Sequence, residues 1–183
     1  MLVQIGQFLV DVVGSFFVFI LLARFHFQWL RVPFRNPIGE FMIAVTSWIV
    51  LPARRVVPPL AGLDLATLIA AWLLQALALT LLIAMAGGAA SVLVFVASAF
   101  DLLRYSLYIL IFAVIVQAVL TWVNPRSPVQ FLFDAMTRPF LRPIRRLVPL
   151  LGSVDLSPLV LLVILQIALI ALAHLRAAVW SAL

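Results

Sequence analysis

Four stretches of this chain, about residues 4–30, 64–86, 100–123 and 156–180, are long and apolar enough to need a solvent other than water. A bilayer core about 30 Å thick is crossed by roughly 20 mainly apolar residues in a helix rising about 1.5 Å per residue. A helix also satisfies its backbone polar groups within its own segment, as lipid demands. Composition agrees: 67% of the 183 residues are hydrophobic and 10% are charged. Soluble domains run at about 45–50% and about 25%. One core of this size cannot hide the excess, because a domain of about 150 residues still leaves roughly 30% of its surface in water. A water-soluble globule and a disordered chain are both excluded.

The stretch Met1-Leu2-Val3-Gln4-Ile5-Gly6-Gln7 has no positive charge. The first span is therefore expected to be retained rather than cleaved as a signal peptide. With no cysteine, there is no disulfide, thiolate metal site or thiol nucleophile. Gly87-Gly88 ends the second span as a helix stop. Residues 89–99 are small and apolar, and either lengthen the third helix or lie along the surface.

Between spans one and two, and again between three and four, the chain becomes rich in proline and arginine. Sliding residues 35–75 along 126–166, at a constant offset of 91, sets identical residues opposite each other without a gap. Among them are Arg35/Arg126, Pro37/Pro128, Thr46/Thr137, Pro52/Pro143, Arg54/Arg145, Arg55/Arg146, Val57/Val148, Pro58/Pro149, Asp64/Asp155 and Gln75/Gln166. Two apolar stretches matched by chance would share Leu and Val, not Pro, Arg-Arg, Asp and Gln in order. The chain therefore reads as all-α and integral to the membrane, with four transmembrane helices in two tandem repeats, 1–88 and 89–183. Each repeat is a span, a basic segment (31–60 or 124–152) and a second span. Two spans return the chain to its starting side, so the copies are expected to be parallel, about a pseudo-two-fold along the membrane normal.

Five arginines (Arg24, Arg31, Arg35, Arg54, Arg55) lie in residues 24–59, and five more (Arg126, Arg138, Arg142, Arg145, Arg146) in 124–151. Residues 87–99 carry no charge. The positive-inside rule puts the basic segments in the cytoplasm and both termini outside.

In the second basic segment, Ser127-Pro128-Val129-Gln130 reads as an N-cap with proline at the first helical position. Val129, Leu132, Phe133 and Met136 then mark one helix face, and Pro139 is expected to break that helix. A second short piece sets Phe140, Leu141, Ile144, Leu147, Val148 and Leu151 opposite Arg138, Arg142, Arg145 and Arg146. The first copy starts at Asn36-Pro37, with Phe41, Met42, Val45, Trp48 and Ile49 as its apolar face and Arg54 and Arg55 beyond Pro52. Such segments suit the membrane interface, with guanidiniums among phosphates. Either they anchor the loops, or they dock an anionic lipid or a protein partner. Nucleic acid is not expected, since the basic groups are tied to membrane-inserted helices.

Polar residues within the spans form a second candidate set. Gln75 and Gln166 fall near the midplane, where the pseudo-two-fold brings them together as interhelical glue; the alternative is a pore or substrate contact. Asp11 shares a face with Gln4, Gln7 and Gly14. Asp101 shares one with Arg104, Tyr105 and Tyr108, and Asp101 and Arg104 are spaced to neutralise each other. With Trp29 and Trp122 at the cytoplasmic interface, both acids fall near the outer boundary, within reach of water. Pairing, anchoring and an ion or proton role all remain open for them. Asp64 and Asp155 read as helix caps, and His26 and His174 as interfacial side chains. No catalytic, metal or cofactor motif is present, so no enzyme activity and no cofactor are expected.

Asn124-Pro125-Arg126-Ser127-Pro128, Arg138-Pro139-Phe140-Leu141-Arg142-Pro143-Ile144-Arg145-Arg146-Leu147-Val148-Pro149, Gly152 and Asp155-Leu156-Ser157-Pro158 closely resemble the YggT family of small bacterial inner-membrane proteins, whose one-unit relatives are called YlmG. The first copy departs from the pattern with Leu51 for Arg142, Ala53 for Ile144 and Ala66-Thr67 for Ser157-Pro158. The resemblance implies bacterial genes often near cell-division or proline-biosynthesis genes. It links plastid relatives to nucleoid distribution and cytochrome haem attachment, and some bacterial ones to osmotic stress or ion homeostasis. It supplies no agreed activity and no catalytic residues. The resulting expectation is a non-enzymatic membrane organiser or assembly factor that holds anionic lipid, or a membrane or division/assembly protein, on Arg54, Arg55, Arg138, Arg142, Arg145 and Arg146. The competing expectation is an ion or solute pathway lined by Asp11, Gln75, Asp101, Arg104 and Gln166, which needs a homo-oligomer because four helices are few for a pore.

Overall fold

A computed structural model gives the fold and describes residues 1–59, 62–148 and 155–182. These residues hold six helices: α1 (Leu2–Trp29), α2 (Pro37–Val56), α3 (Leu65–Met85), α4 (Leu93–Val123), α5 (Pro128–Leu147) and α6 (Ser157–Ala182). Helices α1, α3, α4 and α6 are long and apolar enough to cross a membrane, the architecture of a multi-pass membrane protein. Their outward faces are apolar: Leu73, Leu77 and Leu81 on α3, and Leu159, Val163, Ile167 and Ile170 on α6, are all exposed. Such stripes are tolerable when lipid covers them.

Gly87, with φ of +79°, ends α3, and the Gly88 N–H donates back to the Ile83 carbonyl at 2.9 Å. This is the glycine stop that recaptures carbonyls orphaned at a helix end. Helix α4 starts at Leu93, so residues 93–99 lengthen the third span. Its 31 residues rise about 46 Å against a core of about 30 Å, so α4 tilts or projects from the bilayer.

The chain forms two compact units. Met1–Trp29 and Phe34–Tyr105 make the first; Leu30–Pro33 and Ser106–Leu183 make the second. Compactness thus groups the start of α4 with the first unit, beyond residue 88, where the sequence places the end of the first repeat. In the first unit α1 packs on α3, and α2 lies against both. The buried side of α3 is small: Ala66, Ala70, Ala71, Ala76 and Ala78. Helix α1, which packs on it, has Val18, Leu21 and Leu22 fully buried. Lipid tails are as apolar as leucine, so close backbone approach and dispersion hold such helices together. Gly14 permits that approach; a Cβ there would meet the Ala78 Cβ at 3.1 Å. In the second unit Leu110 and Val114 of α4, Leu141 and Ile144 of α5, and Leu161 and Leu165 of α6 form one core.

Helices α2 and α5 share a design. Both have 20 residues, and their bounds differ by 91. Asn36 Oδ1 accepts from the Gly39 N–H at 2.9 Å, and Ser127 Oγ from the Gln130 N–H at 3.0 Å. Proline follows each cap. At the far ends the Val57 and Val148 amides donate to Ala53 and Ile144, each at 2.9 Å.

Two expectations are corrected here. Pro139 does not break the second helix; α5 runs on through Pro139 and Pro143, as α2 does through Pro52. All three prolines are exposed, so the hydrogen bonds they forgo lie on the outer side, where polar surroundings can satisfy the freed carbonyls. The buried faces are also rotated. Helix α2 buries Gly39, Met42, Thr46 and Val50, leaving Phe41 and Trp48 exposed. Helix α5 buries Leu132, Phe133, Met136, Thr137, Leu141 and Ile144, leaving Val129 and Leu147 exposed. Leu151 lies outside the described residues.

Gly14→Ile should wedge α1 from α3 and destabilise the protein by about 1–3 kcal/mol. Thermal unfolding of the detergent-solubilised chain should show a lowered Tm, while Leu77→Ile on the exposed face leaves it unchanged.

Candidate functional site

Each basic helix is tied to the span that follows it. In the first unit Arg54 Nη2 donates to Asp64 Oδ2 at 2.6 Å, while Nε reaches Oδ1 at 3.4 Å. In the second, Arg145 Nε donates to Asp155 Oδ2 at 2.9 Å. Both pairs span ten residues, and both members differ by 91 between copies. Each aspartate also caps the next helix: Asp64 accepts from the Thr67 hydroxyl at 2.5 Å, and Asp155 from the Ser157 N–H at 2.9 Å.

Burial pushes both carboxyls up. For Asp64 the hydrogen bonds from Arg54 and Thr67 and the Arg54 charge outweigh it, and for Asp155 those from Ser157 and Arg145 do. Both groups therefore titrate below their ordinary value. The pairs differ in depth: the Asp64 side chain is 1% exposed and that of Asp155 29%.

These contacts divide the six arginines expected to face a lipid or partner. Arg54 and Arg145 are held by aspartates, and Arg138 pairs with Asp134 one turn back at 2.5 Å. Arg138 and Arg145 stay exposed despite their pairs, and Arg55, Arg142 and Arg146 are exposed with no ion pair among the described residues. Asp64 and Asp155 do cap helices, but they also fix the basic segments, a role not read from the sequence. The shared ten-residue separation was the available signal.

Arg24 was counted with the loop charges, but it is buried in α1 and donates to Thr46 Oγ1 at 2.7 Å. His26, expected at the interface, is also buried, its Nδ1–H donating to the Leu22 carbonyl at 2.7 Å. His174 is exposed.

Within the spans, Gln75 is buried as its position suggested, but the partner is Asp101 rather than Gln166. Gln75 Nε2 donates to Asp101 Oδ2 at 3.1 Å. Asp101 is buried rather than wetted at a boundary, and Arg104 pairs with it at 3.2 Å as the spacing predicted. Asp11 and Gln166 are exposed on their helices. Gln117, not singled out in the sequence, is buried in α4 and donates to Thr121 Oγ1 at 3.3 Å.

The CCB3/YggT family profile matches two stretches of the chain, residues 3–85 and 96–176. An uncharacterized protein in the proC 3′ region of Vibrio alginolyticus is 30% identical over 178 residues, covering 95% of this chain and 96% of the relative. The uncharacterized protein YggT of Escherichia coli K12 is 32% identical over 161 residues, covering 87% and 85%. Uncharacterized protein PA0392 of Pseudomonas aeruginosa is 32% identical over 157 residues, covering 83% and 80%. No solved structure matches the chain significantly.

Arg54→Ala strands a buried carboxylate, and should destabilise the protein by about 3 kcal/mol. Arg145→Ala leaves a carboxylate that water reaches, and should cost about 1 kcal/mol or less. Parallel thermal melts check the ranking. Because both carboxylates titrate lower folded than unfolded, their stabilisation is complete above the unfolded value of about 3.9 and is lost as the pH falls toward and through the lower folded value. Melts across pH 3–6 should show that loss for the parent chain and a smaller one for Asp64→Asn.

Proposed function

The chain belongs to the CCB3/YggT family, and we propose that it acts as a non-enzymatic organiser or assembly factor, holding anionic lipid or a protein partner on the arginines of α2 and α5. One observation carries the reading. Each copy has an arginine doublet in which the first member, Arg54 or Arg145, is paired with an aspartate, while the second, Arg55 or Arg146, is exposed and makes no ion pair among the described residues. A doublet serving only as structure needs one arginine; one serving only as a topology signal needs no ion pair.

The matching bounds, caps and ion pairs of α2 and α5, and the two stretches matched by the family profile, support two tandem parallel repeats. One-sided arginines on a helical chain support the bacterial inner membrane, with the basic segments cytoplasmic and both termini outside. A pathway through the spans is not favoured, because Gln75, Asp101 and Arg104 already engage one another.

Arg55→Glu combined with Arg146→Glu should lower the anionic lipid retained by the purified chain, by about fivefold for each arginine at roughly 1 kcal/mol apiece. It should also remove partners crosslinked from these positions in cells. Unchanged lipid and unchanged crosslinks would defeat the proposal.

A further inference from the structure

The two basic helices share a frame but not an outer face. At offset 91, Ile43, Ser47, Trp48 and Leu51 of α2 become Asp134, Arg138, Pro139 and Arg142 in α5. The outer side of α2 is therefore apolar, with Phe41, Trp48 and Leu51 exposed and Arg55 at its end. That of α5 is charged. Its acid, Asp134, is taken by Arg138, and the nearby Asp155 by Arg145. Arg142 and Arg146 are left one turn apart, both exposed and, among the described residues, without a carboxylate.

We propose that Arg142 and Arg146 form a site on α5 for a phospholipid headgroup carrying two phosphates, a site that α2 lacks. The proposal rests on the reading that exposed arginines hold anionic lipid, and it names which lipid and which copy. Residues four apart on a helix have Cβ atoms about 5–6 Å apart, so two guanidiniums reach two phosphates joined by a short bridge, each by a forked hydrogen bond. Helix α5 also lies against the start of a span. Its buried side packs on Leu161 and Leu165, four and eight residues into α6, or about 6 and 12 Å below its start. The arginine side thus belongs to a helix lying alongside the first turns of α6 rather than beyond its end, which suits contact with headgroups.

The test uses the full chain in uncharged detergent micelles doped with diphosphatidylglycerol or with phosphatidylglycerol at equal phosphate, with retained lipid counted by native mass spectrometry. The parent chain should favour the two-phosphate lipid by about fivefold, the worth of one further arginine–phosphate contact. Arg142→Leu, which installs the residue found at position 51, should abolish that preference. Leu51→Arg should create a second such site on α2. Equal retention of both lipids by the parent overturns this site while leaving the anionic-lipid reading standing; retention of neither overturns both. Capture of an acidic polyglutamate peptide in place of either lipid would assign α5 to a protein segment, and also overturns the proposal.

Discussion

A carboxylate placed where a helix enters lipid must be neutralised, and the way this chain does so governs the rest of its architecture. Asp64 and Asp155 stand at the N-termini of α3 and α6, where the helix dipole favours negative charge. Each recruits an arginine from the end of the preceding basic helix. The contact sets the height of that helix against the span that follows. Because successive residues on a helix point about 100° apart, holding Arg54 and Arg145 on their aspartates turns Arg55 and Arg146 away from those carboxylates. A structural ion pair thereby defines which charges remain available to the surroundings.

Much of this was legible in the sequence, for physical reasons that also mark where legibility ends. Span positions follow from hydrocarbon thickness, and the caps Asn36 and Ser127 follow from backbone groups that must be satisfied locally. The Asp101–Arg104 pair follows from helical spacing. Pairings across elements were harder. Gln75 and Asp101 lie 26 residues apart and Arg24 and Thr46 lie 22 apart, and no local period encodes such contacts. Repeat symmetry suggested Gln166 as the mate of Gln75, but a buried amide takes whichever partner packing brings near. Pro139 looked like a helix terminus; three exposed prolines show that a helix tolerates them on a side where its carbonyls are not buried.

Packing in the first unit sets a face of small residues on α3 against a helix that buries large ones, Val18, Leu21 and Leu22. The alanine face of α3 and Gly14 bring two spans close, and the leucines Leu73, Leu77 and Leu81 point outward, where a soluble protein would put charges. The same inversion explains Arg24 and Asp101. Polar groups inside such a bundle are few, and those that occur are met by neighbours because no water stands ready to meet them.

The glycine stop at the end of α3 bears on how the chain enters the membrane at all. Between α3 and α4 lie only residues 86–92, Ala-Gly-Gly-Ala-Ala-Ser-Val, without an ionisable group; the other links between spans are long and carry arginines. Carrying a charged side chain through the hydrocarbon centre costs about 2.5–3.5 kcal/mol even on insertion scales, whereas this short neutral link crosses at little expense. The second and third spans are thus suited to enter as one hairpin, tip first, with the arginine-bearing segments held back on either side. In that sense the second and third spans are joined at the place where biogenesis meets the least resistance.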